Sequence, residues 1–346
     1  YVNAQNGTVL KIFDNADFNG PCTTLYDGSQ TLDTKWAGGL FHGHHHLVGD
    51  DNGKNVETRK NGTAGLNWKD KDHIFDLDDV WAADRMAEAQ AHWGVSRTWD
   101  FFKDSYARVS MDNENCSVKV VAVSSSTSLR NLAGHINIKG QHFIEFGVST
   151  GLSGPAGTNV SSLDIAGHEF THGVIEHEAN FAKGFGQSSS LAESFCDIFA
   201  VMVERLARNG SFNFTIGEDV GGSVFRSLEN PAVSATPGAS TYLTDPLWCS
   251  APSATCSPHG NGGVQNRWFY LLSVGGTQNG VNVQGIGIDK AAKIAYYNLC
   301  HYLGSTATFP ASRMGAIAAA KFLFGPCSNE VIQTTNAWAA VGVGTT

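Results

Sequence analysis

The run Ser161-Ser162-Leu163-Asp164-Ile165-Ala166-Gly167-His168-Glu169-Phe170-Thr171-His172-Gly173 carries the pattern H-E-x-x-H and reads as a helix. Leu163, Ala166, Phe170 and Val174 recur at steps of three and four, the mark of a buried helical face. Asp164, His168 and His172 form a second stripe, each four residues from the next and so neighbours on the helix surface. Two imidazoles at that spacing can reach one metal ion, with Glu169 beside the metal rather than on it. Such an arrangement suits Zn²⁺ held by neutral nitrogen donors, with a nearby carboxylate taking the proton from an activated water. Three fixed residues in five also arise by chance, so the motif alone leaves the question open.

The stretch Ser190 to Glu204 weighs on it. Leu191, Phe195, Ile198, Phe199 and Met202 give it an apolar helical face, while Glu193, Asp197 and Glu204 share another stripe. Carboxylates on an otherwise apolar helix are costly to bury unless paired or bound to metal. Zinc sites of this type need a third protein ligand, and Glu193 is the candidate. Asp197, one turn on, can accept from the free N–H of His168 and orient it. Cys196 reads as a small buried hydrophobe rather than a ligand.

The chain has 346 residues, enough for two domains with sizeable cores. Charged residues make up only 16%, glycines number 39, and the net charge is −9 without a Lys/Arg cluster, which argues against a nucleic-acid partner. No apolar run reaches the roughly 18 residues of a membrane helix. The first residue is Tyr1, with no charged-then-apolar leader, so the chain reads as a piece of a longer precursor. Seven cysteines leave at least one free thiol. Cys249 with Cys256 and Cys300 with Cys327 are candidate disulfides of an oxidising compartment, and Cys22 and Cys116 are the leftover pair. Sequons at Asn6, Asn61, Asn115, Asn159, Asn209 and Asn213 fit an exposed, secreted surface.

Outside the two helices, Asp78 to Phe102 reads as a long amphipathic helix on which His92 and Asp100 are structural. Val118 to Val123 reads as a buried strand and His135 to Gly147 as an edge strand. The tract His42-Gly43-His44-His45-His46 reads as a solvated strand or loop, since no carboxylate or cysteine is patterned with it. Thr150 to Ser162, rich in Gly and Ser, reads as a domain junction.

The sequence resembles the thermolysin-like zinc metallopeptidases, which use two His and a Glu. The resemblance rests on GHEFTHGV (167–174), LAESFCDIFA (191–200), IGEDVGG (216–222), FRSLENP (225–231), HGNGGVQNRWFYLL (259–272) and the tail ASRMGAIAAAKFLFG (311–325) with AWAAVGVG (337–344), in family order. It implies an α+β, two-lobed fold, with a β-rich N-terminal lobe over 19–163 and a mainly helical C-terminal lobe over 164–346, meeting at the zinc helix. Residues 1–18 match the end of a prosegment, so a propeptide remnant is expected there. The implied activity is that of a secreted neutral endopeptidase acting on peptides or proteins as a monomer, with one catalytic Zn²⁺ on His168, His172 and Glu193 and Glu169 as general base. His259 matches the family's oxyanion donor and Arg226 an Arg that contacts the substrate backbone. Ile165, Ile216 and Phe225 would line a pocket favouring a bulky apolar residue just after the scissile bond. The family's Asn-Ala pair on the edge strand has no clear counterpart; Asn137 is the best positional match for its Asn. Asp164, Glu204 and Glu218 match a calcium site; Asn213 and Thr215 stand where the family has acidic residues, so one Ca²⁺ rather than a pair is expected. Glu204 lies eleven residues beyond Glu193, roughly 16 Å along a helix, and cannot share the zinc.

Two departures are visible. The family's second oxyanion donor, a Tyr between the two site helices, is missing from an interval that holds Phe181, Lys183 and Phe185, and the Asp that orients the His is missing before His259. They keep open a catalytically inactive zinc-binding domain; a related aminopeptidase is the other alternative, against which the tail and FRSLENP matches stand.

Overall fold

The structure is a computed structural model that describes residues 17–39, 42–49, 53–62, 74–76, 81, 83–184, 186–222, 224–233, 239–250 and 257–346. The expected propeptide remnant falls almost wholly outside these. Strand β1 (Asp17–Thr23) nevertheless begins two residues before the expected boundary and pairs without a break along β2 (Ser29–Gly39).

The N-terminal half is built from sheets. After β1 and β2 come β3 (His42–His46), β4 (Val48–Gly49), β5 (Val56–Gly62) and β6 (Phe75–Asp76). A long helix α1 (Met86–Tyr106) follows, then β7 (Val118–Ser124), β8 (Ala133–Ile138) and β9 (Gln141–Phe146). One sheet has the order β1-β2-β3-β6 and the other β4-β5-β7-β9-β8. The parallel strands β5, β7 and β9 form the middle of the second sheet. Val118, Val120 and Val121 are buried there, as a strand covered on both faces requires.

Three expectations change. The tract at His42–His46 is an inner strand of the first sheet, and His45 is buried at 6% exposure rather than solvated. The helix expected over Asp78–Phe102 starts at Met86 and runs to Tyr106; Trp81 instead makes an isolated bridge with Cys22. The single edge strand expected over His135–Gly147 is a hairpin. Lys139 and Gly140 both adopt positive φ (54° and 82°), which suits the tight two-residue turn whose twist matches the strands, and only β8 lies at the edge.

The second half is mainly helical. It contains α2 (Leu163–His177), α3 (Gln187–Ala207), the short pair β10 (Thr215–Ile216) and β11 (Arg226–Ser227) flanking α4 (Glu218–Gly221), then α5 (Pro258–Val274), β12 (Gly275–Gln278), β13 (Val281–Gln284), α6 (Ile288–His301), α7 (Phe309–Phe324) and α8 (Asn329–Ala340). Side-chain caps start the last two helices: Thr308 Oγ1 accepts from Ala311 N and Ser328 Oγ from Val331 N. Among the described residues no helix is long and apolar enough to cross a membrane.

Helix α2 is wedged between α1 and α3, and two glycines allow it. A Cβ on Gly94 of α1 would lie 2.9 Å from the Ala166 Cβ, and one on Gly167 of α2 would lie 3.1 Å from the Ala200 Cα of α3. An aromatic cluster closes the far side. Phe102 stacks on Phe170 (5.8 Å between centroids), Phe199 packs 5.6 Å from Phe102, and Tyr106 stacks on Tyr296 at 3.8 Å. Each such pair adds about 0.5–1.5 kcal/mol beyond its buried area.

Two of the cysteine expectations fail. Cys22, Cys116, Cys300 and Cys327 are all free thiols. Cys22 is buried in β1, the Cys116 Sγ lies 3.3 Å from the Ser110 Oγ, and Cys300 is half-buried on α6 whereas Cys327 is exposed beyond α7. Cys249 is disulfide-bonded; Cys256, the partner expected for it, lies outside the described residues. The sequon at Asn159 is no surface site either: its amide is buried and donates to the Ala122 carbonyl at 2.8 Å.

His92 shows a structural histidine held in one charge state. It is buried in α1, with Nε2 2.9 Å from the Asp33 carbonyl and Nδ1 2.7 Å from the Thr58 hydroxyl. A carbonyl only accepts, so Nε2 carries the proton and Nδ1 accepts from Thr58. Burial lowers its pKa to about 4, against the pull of Asp33. The unfolded chain then binds more protons than the fold between about pH 6.5 and 4, so stability is lost as pH falls through that window. At 1.36 kcal/mol per unit the loss is on the order of 3 kcal/mol. Raised carboxylates such as Glu204 act with the opposite sign over this range, so the readout is the difference between wild type and His92→Gln in urea unfolding. From pH 7 to 4 the wild type is expected to lose on the order of 3 kcal/mol relative to the variant; an unchanged difference would refute the assignment.

Candidate active site

A cleft of about 610 Å³ separates the halves. Asn131 to His135, on β8 and just before it, form one wall; Ile165, His168, Glu169 and His172 of α2, Glu193 of α3, Phe225, Arg226 and His259 form the floor and the other wall.

The i, i+4 spacing on α2 places both imidazoles over α3. His168 Nε2 lies 3.1 Å from a Glu193 carboxylate oxygen, His172 Nε2 lies 3.6 Å from the same oxygen, and the rings are 4.9 Å apart and near perpendicular. His259, at the N-terminus of α5, reaches that oxygen too, at 2.9 Å, with its ring 6.0 Å from His168. Three imidazoles around one carboxylate hold Glu193 well below the usual carboxylate range, although burial works the other way. Burial lowers His172 against the pull of Glu193 and Glu169, with His168 and His259 adding to the lowering, which favours the neutral, lone-pair form a metal needs. The donor set fits a single Zn²⁺: two nitrogens and a carboxylate converge on one point that opens to the cleft. Glu169 is buried to 8% exposure, lines the cleft and receives no hydrogen bond from a described residue. Cys196 also lies near His168 and His172. Burial and the Glu193 and Glu169 charges raise its thiol well above the ordinary value, so it stays protonated and is a poor ligand.

Asp197 organises the ring behind this centre. Its carboxylate lies 2.9 Å from His168 Nδ1, accepts from Arg226 Nε at 2.9 Å and Nη2 at 2.7 Å, and accepts from Asn266 Nδ2 at 2.9 Å. Ser194 Oγ donates to Asn266 Oδ1 at 2.7 Å and fixes the amide's direction. Burial would raise Asp197, but the Arg226 guanidinium and His168 hold it far below the carboxylate range. His168, despite burial, is raised to about 9 because carboxylates face both its nitrogens. Arg226 comes from the two-residue strand β11, whose partner Ile216 is fully buried. Ile165 and Phe225 line the cleft; Ile216 is fully buried and does not. Asn137 does not line the cleft; it donates to Glu176 Oε1, a cleft residue, at 3.2 Å and accepts from Gly140 N at 2.9 Å.

Asp164, Glu204 and Glu218 gather behind α2. Asp164 accepts from Ser162 Oγ, Ile165 N and Gly217 N. Burial and the Glu218 charge push it up to about 6, and burial pushes Glu204 up to about 8 against the pull of Arg208. Glu218 Oε1 accepts from Asn213 Nδ2 at 2.6 Å, while Oε2 is buried and orphaned. An orphaned carboxylate oxygen among mutually repelling carboxylates fits an oxygen-seeking cation. Part of the charge is met internally: Arg208 donates to Asp27 at 2.7 Å, to Asp219 at 2.5 Å and to Glu204.

Sequence reasoning missed Asn266, His135 and Glu176. Glu176 continues the Asp164–His168–His172 stripe by one more turn and was readable from that period; Asn266 has no sequence signal.

Asp197→Asn keeps the shape and removes the charge, leaving Arg226 beside a neutral amide. Breaking such a pair costs about 3 kcal/mol. Urea unfolding in excess chelator is expected to show a loss of that order, and a loss under about 0.5 kcal/mol, the scale of ordinary surface substitutions, would contradict the hub reading.

Known proteins share this organisation. The thermolysin metallopeptidase catalytic domain matches residues 19–176, and the thermolysin metallopeptidase alpha-helical domain matches residues 183–343. The thermostable neutral protease NprT of Geobacillus stearothermophilus is 28% identical, over 99% of this chain and 63% of its own length. Bacillolysin of Bacillus cereus is 32% identical, over 81% of this chain and 47% of its own. The chain thus spans about half to two thirds of these curated relatives. A solved precursor of protealysin, a metalloproteinase from Serratia proteamaculans, superposes with a TM-score of 0.66 at 23% identity, covering 84% of this chain and 87% of that one, a likeness of fold.

Proposed function

The chain belongs to the thermolysin family of metallopeptidases, and from that premise we propose that it is a secreted, zinc-dependent neutral endopeptidase. The observation that carries this is the meeting of His168, His172 and Glu193 at one point of an open cleft, with Glu169 beside them. His168, His172 and Glu193 would hold the ion, and Asp197 would keep the His168 ring aligned with Nε2 toward it. Zinc bound there supplies Lewis acidity to water and to the peptide carbonyl.

The remaining chemistry belongs to the chain. Glu169 takes the proton of the attacking water and passes it to the leaving nitrogen, the part its free, cleft-facing carboxylate suits. His259, half-exposed at the start of α5, donates to the developing oxyanion; such a donor contributes a factor on the order of 10²–10³. Arg226, locked on Asp197, presents its outer face to the substrate backbone. Ile165 and Phe225 supply apolar surface, which favours cleavage on the amino side of a bulky apolar residue. An extended peptide would lie along β8, whose outer edge is unpaired among the described strands. The match to the thermolysin metallopeptidase domains and the relative named a neutral protease support the endopeptidase reading.

The test is hydrolysis of an end-blocked, internally quenched peptide with Leu or Phe after the scissile bond, with and without 1,10-phenanthroline, alongside zinc content. Cleavage abolished by the chelator, with about one zinc at this centre, is the expected result; cleavage only of peptides with a free amino terminus would instead indicate an aminopeptidase. Glu169→Gln is expected to retain zinc and lose activity on the order of 10²–10⁴-fold, and near-full activity with zinc bound would overturn its role.

For the acidic cluster we propose one Ca²⁺ on Asp164, Glu204 and Glu218, with Arg208 in place of further positive charge. Calcium at about a hundred times its Kd would then stabilise the fold by about 2.7 kcal/mol. Thermal unfolding at buffered zinc, with EGTA and then excess calcium, reads this directly; an unmoved midpoint would exclude the site.

A further inference from the structure

Three histidines outside the centre just described form a continuous chain. His135 Nε2 of β8 lies 2.9 Å from His142 Nδ1 of β9, and His142 Nε2 lies 2.9 Å from His177 Nε2 at the end of α2. The His135 and His142 rings stack at 5.2 Å, and His142 is buried at 1% exposure. Glu176 stands beside them, and one ligand atom each from His135, His142 and Glu176 lie within 4.8 Å of one another.

We propose that His135, His142 and Glu176 form a second transition-metal site, for Zn²⁺ or another divalent ion that prefers imidazole nitrogen. Tetrahedral ligands at about 2.0–2.1 Å from an ion stand roughly 3.3 Å apart, and the His135–His142 nitrogens are already close to that spacing. The set of two imidazoles and a carboxylate suits zinc, copper or nickel rather than calcium or magnesium.

The surroundings match such a site. If His142 Nε2–H donates to His177 Nε2, its Nδ1 lone pair is turned toward His135, the outer hydrogen bond that metal-binding histidines commonly make. Asn137 Nδ2 donates to Glu176 Oε1 at 3.2 Å and aligns that carboxylate. Asn137 also sits directly opposite His142 in the β8–β9 register, so one tight hairpin places both. Burial first, and then the neighbouring imidazoles, lower His135 and His142, keeping their lone pairs free at neutral pH. The ligands come from two strands and a helix rather than from loops, which fixes their geometry before an ion arrives. The site is one helical turn beyond His172 and opens to the same cleft through His135 and Glu176, but it uses none of the atoms of the first centre, so its occupancy does not depend on the chain being a peptidase.

The test is metal stoichiometry on the full chain, equilibrated with excess Zn²⁺, passed through zinc-buffered medium and read by atomic emission. Two equivalents are expected for the wild type and one for His142→Asn and Glu176→Gln. Cobalt substitution adds a spectroscopic arm: the d–d absorption of the second equivalent should vanish in both variants while that of the first persists. The retained first equivalent reports that the fold survives; if the buried His142→Asn binds no metal at all, the half-buried Glu176→Gln decides. A wild type that holds one equivalent, or a Glu176→Gln that still holds two, overturns the proposal.

Discussion

A buried negative charge at Asp197 is the constraint on which the site depends. A carboxylate at 1% exposure is tolerable only when its lone pairs are met by donors, and here the donors come from three other elements. His168 brings α2, Arg226 brings β11 and Asn266 brings α5 to a point on α3. The same interaction that makes the charge affordable therefore fixes four pieces of chain relative to one another. It also sets the face of the His168 ring, so Nε2 points at Glu193 rather than elsewhere.

Packing supplies the complementary constraint. Helix α2 lies close enough to α1 and α3 that a methyl group at Gly94 or Gly167 would collide with its neighbour, and the Phe102–Phe170–Phe199 cluster fills the space beyond. With those faces packed, α2 presents His168, Glu169 and His172 to the cleft. Behind the helix the acidic residues Asp164, Glu204 and Glu218 show the opposite condition, repelling carboxylates with an orphaned oxygen. Arg208 reaches into their neighbourhood and offsets part of that repulsion from within the chain.

Much of this was legible in one dimension because helical periodicity maps directly onto space. His168, His172, Glu193 and Asp197 fall on stripes with a period near 3.6, and two stripes facing each other suffice to imply a metal centre. The strand over Val118–Val123 was legible from its β-branched run for the same kind of reason. The hairpin within His135–Gly147 was hidden because Lys139 is an unusual residue for a left-handed turn position, so the usual turn signal is only half present. The start of α1 was overextended because Trp81 and Val80 fit a helical pattern that the bridge from Trp81 to Cys22 overrides. The cysteine pairs Cys22–Cys116 and Cys300–Cys327 failed because counting thiols carries no information about distance.

The sequence by itself determined the two site helices and the likeness to a known family, since each is a matter of residue identity at short, regular separations. Only the tertiary structure decided that Ile216 is buried away from the cleft lining, that Asn137 turns to Glu176, that Asn266 and Arg226 share Asp197, and that His135 and His142 approach Glu176. Those contacts join residues 29 to 69 apart in Asp197's case and come from strand register in the case of the histidines. Local periodicity is silent about such pairs; they exist because burial forces every polar group in the core to find a partner wherever the fold brings one.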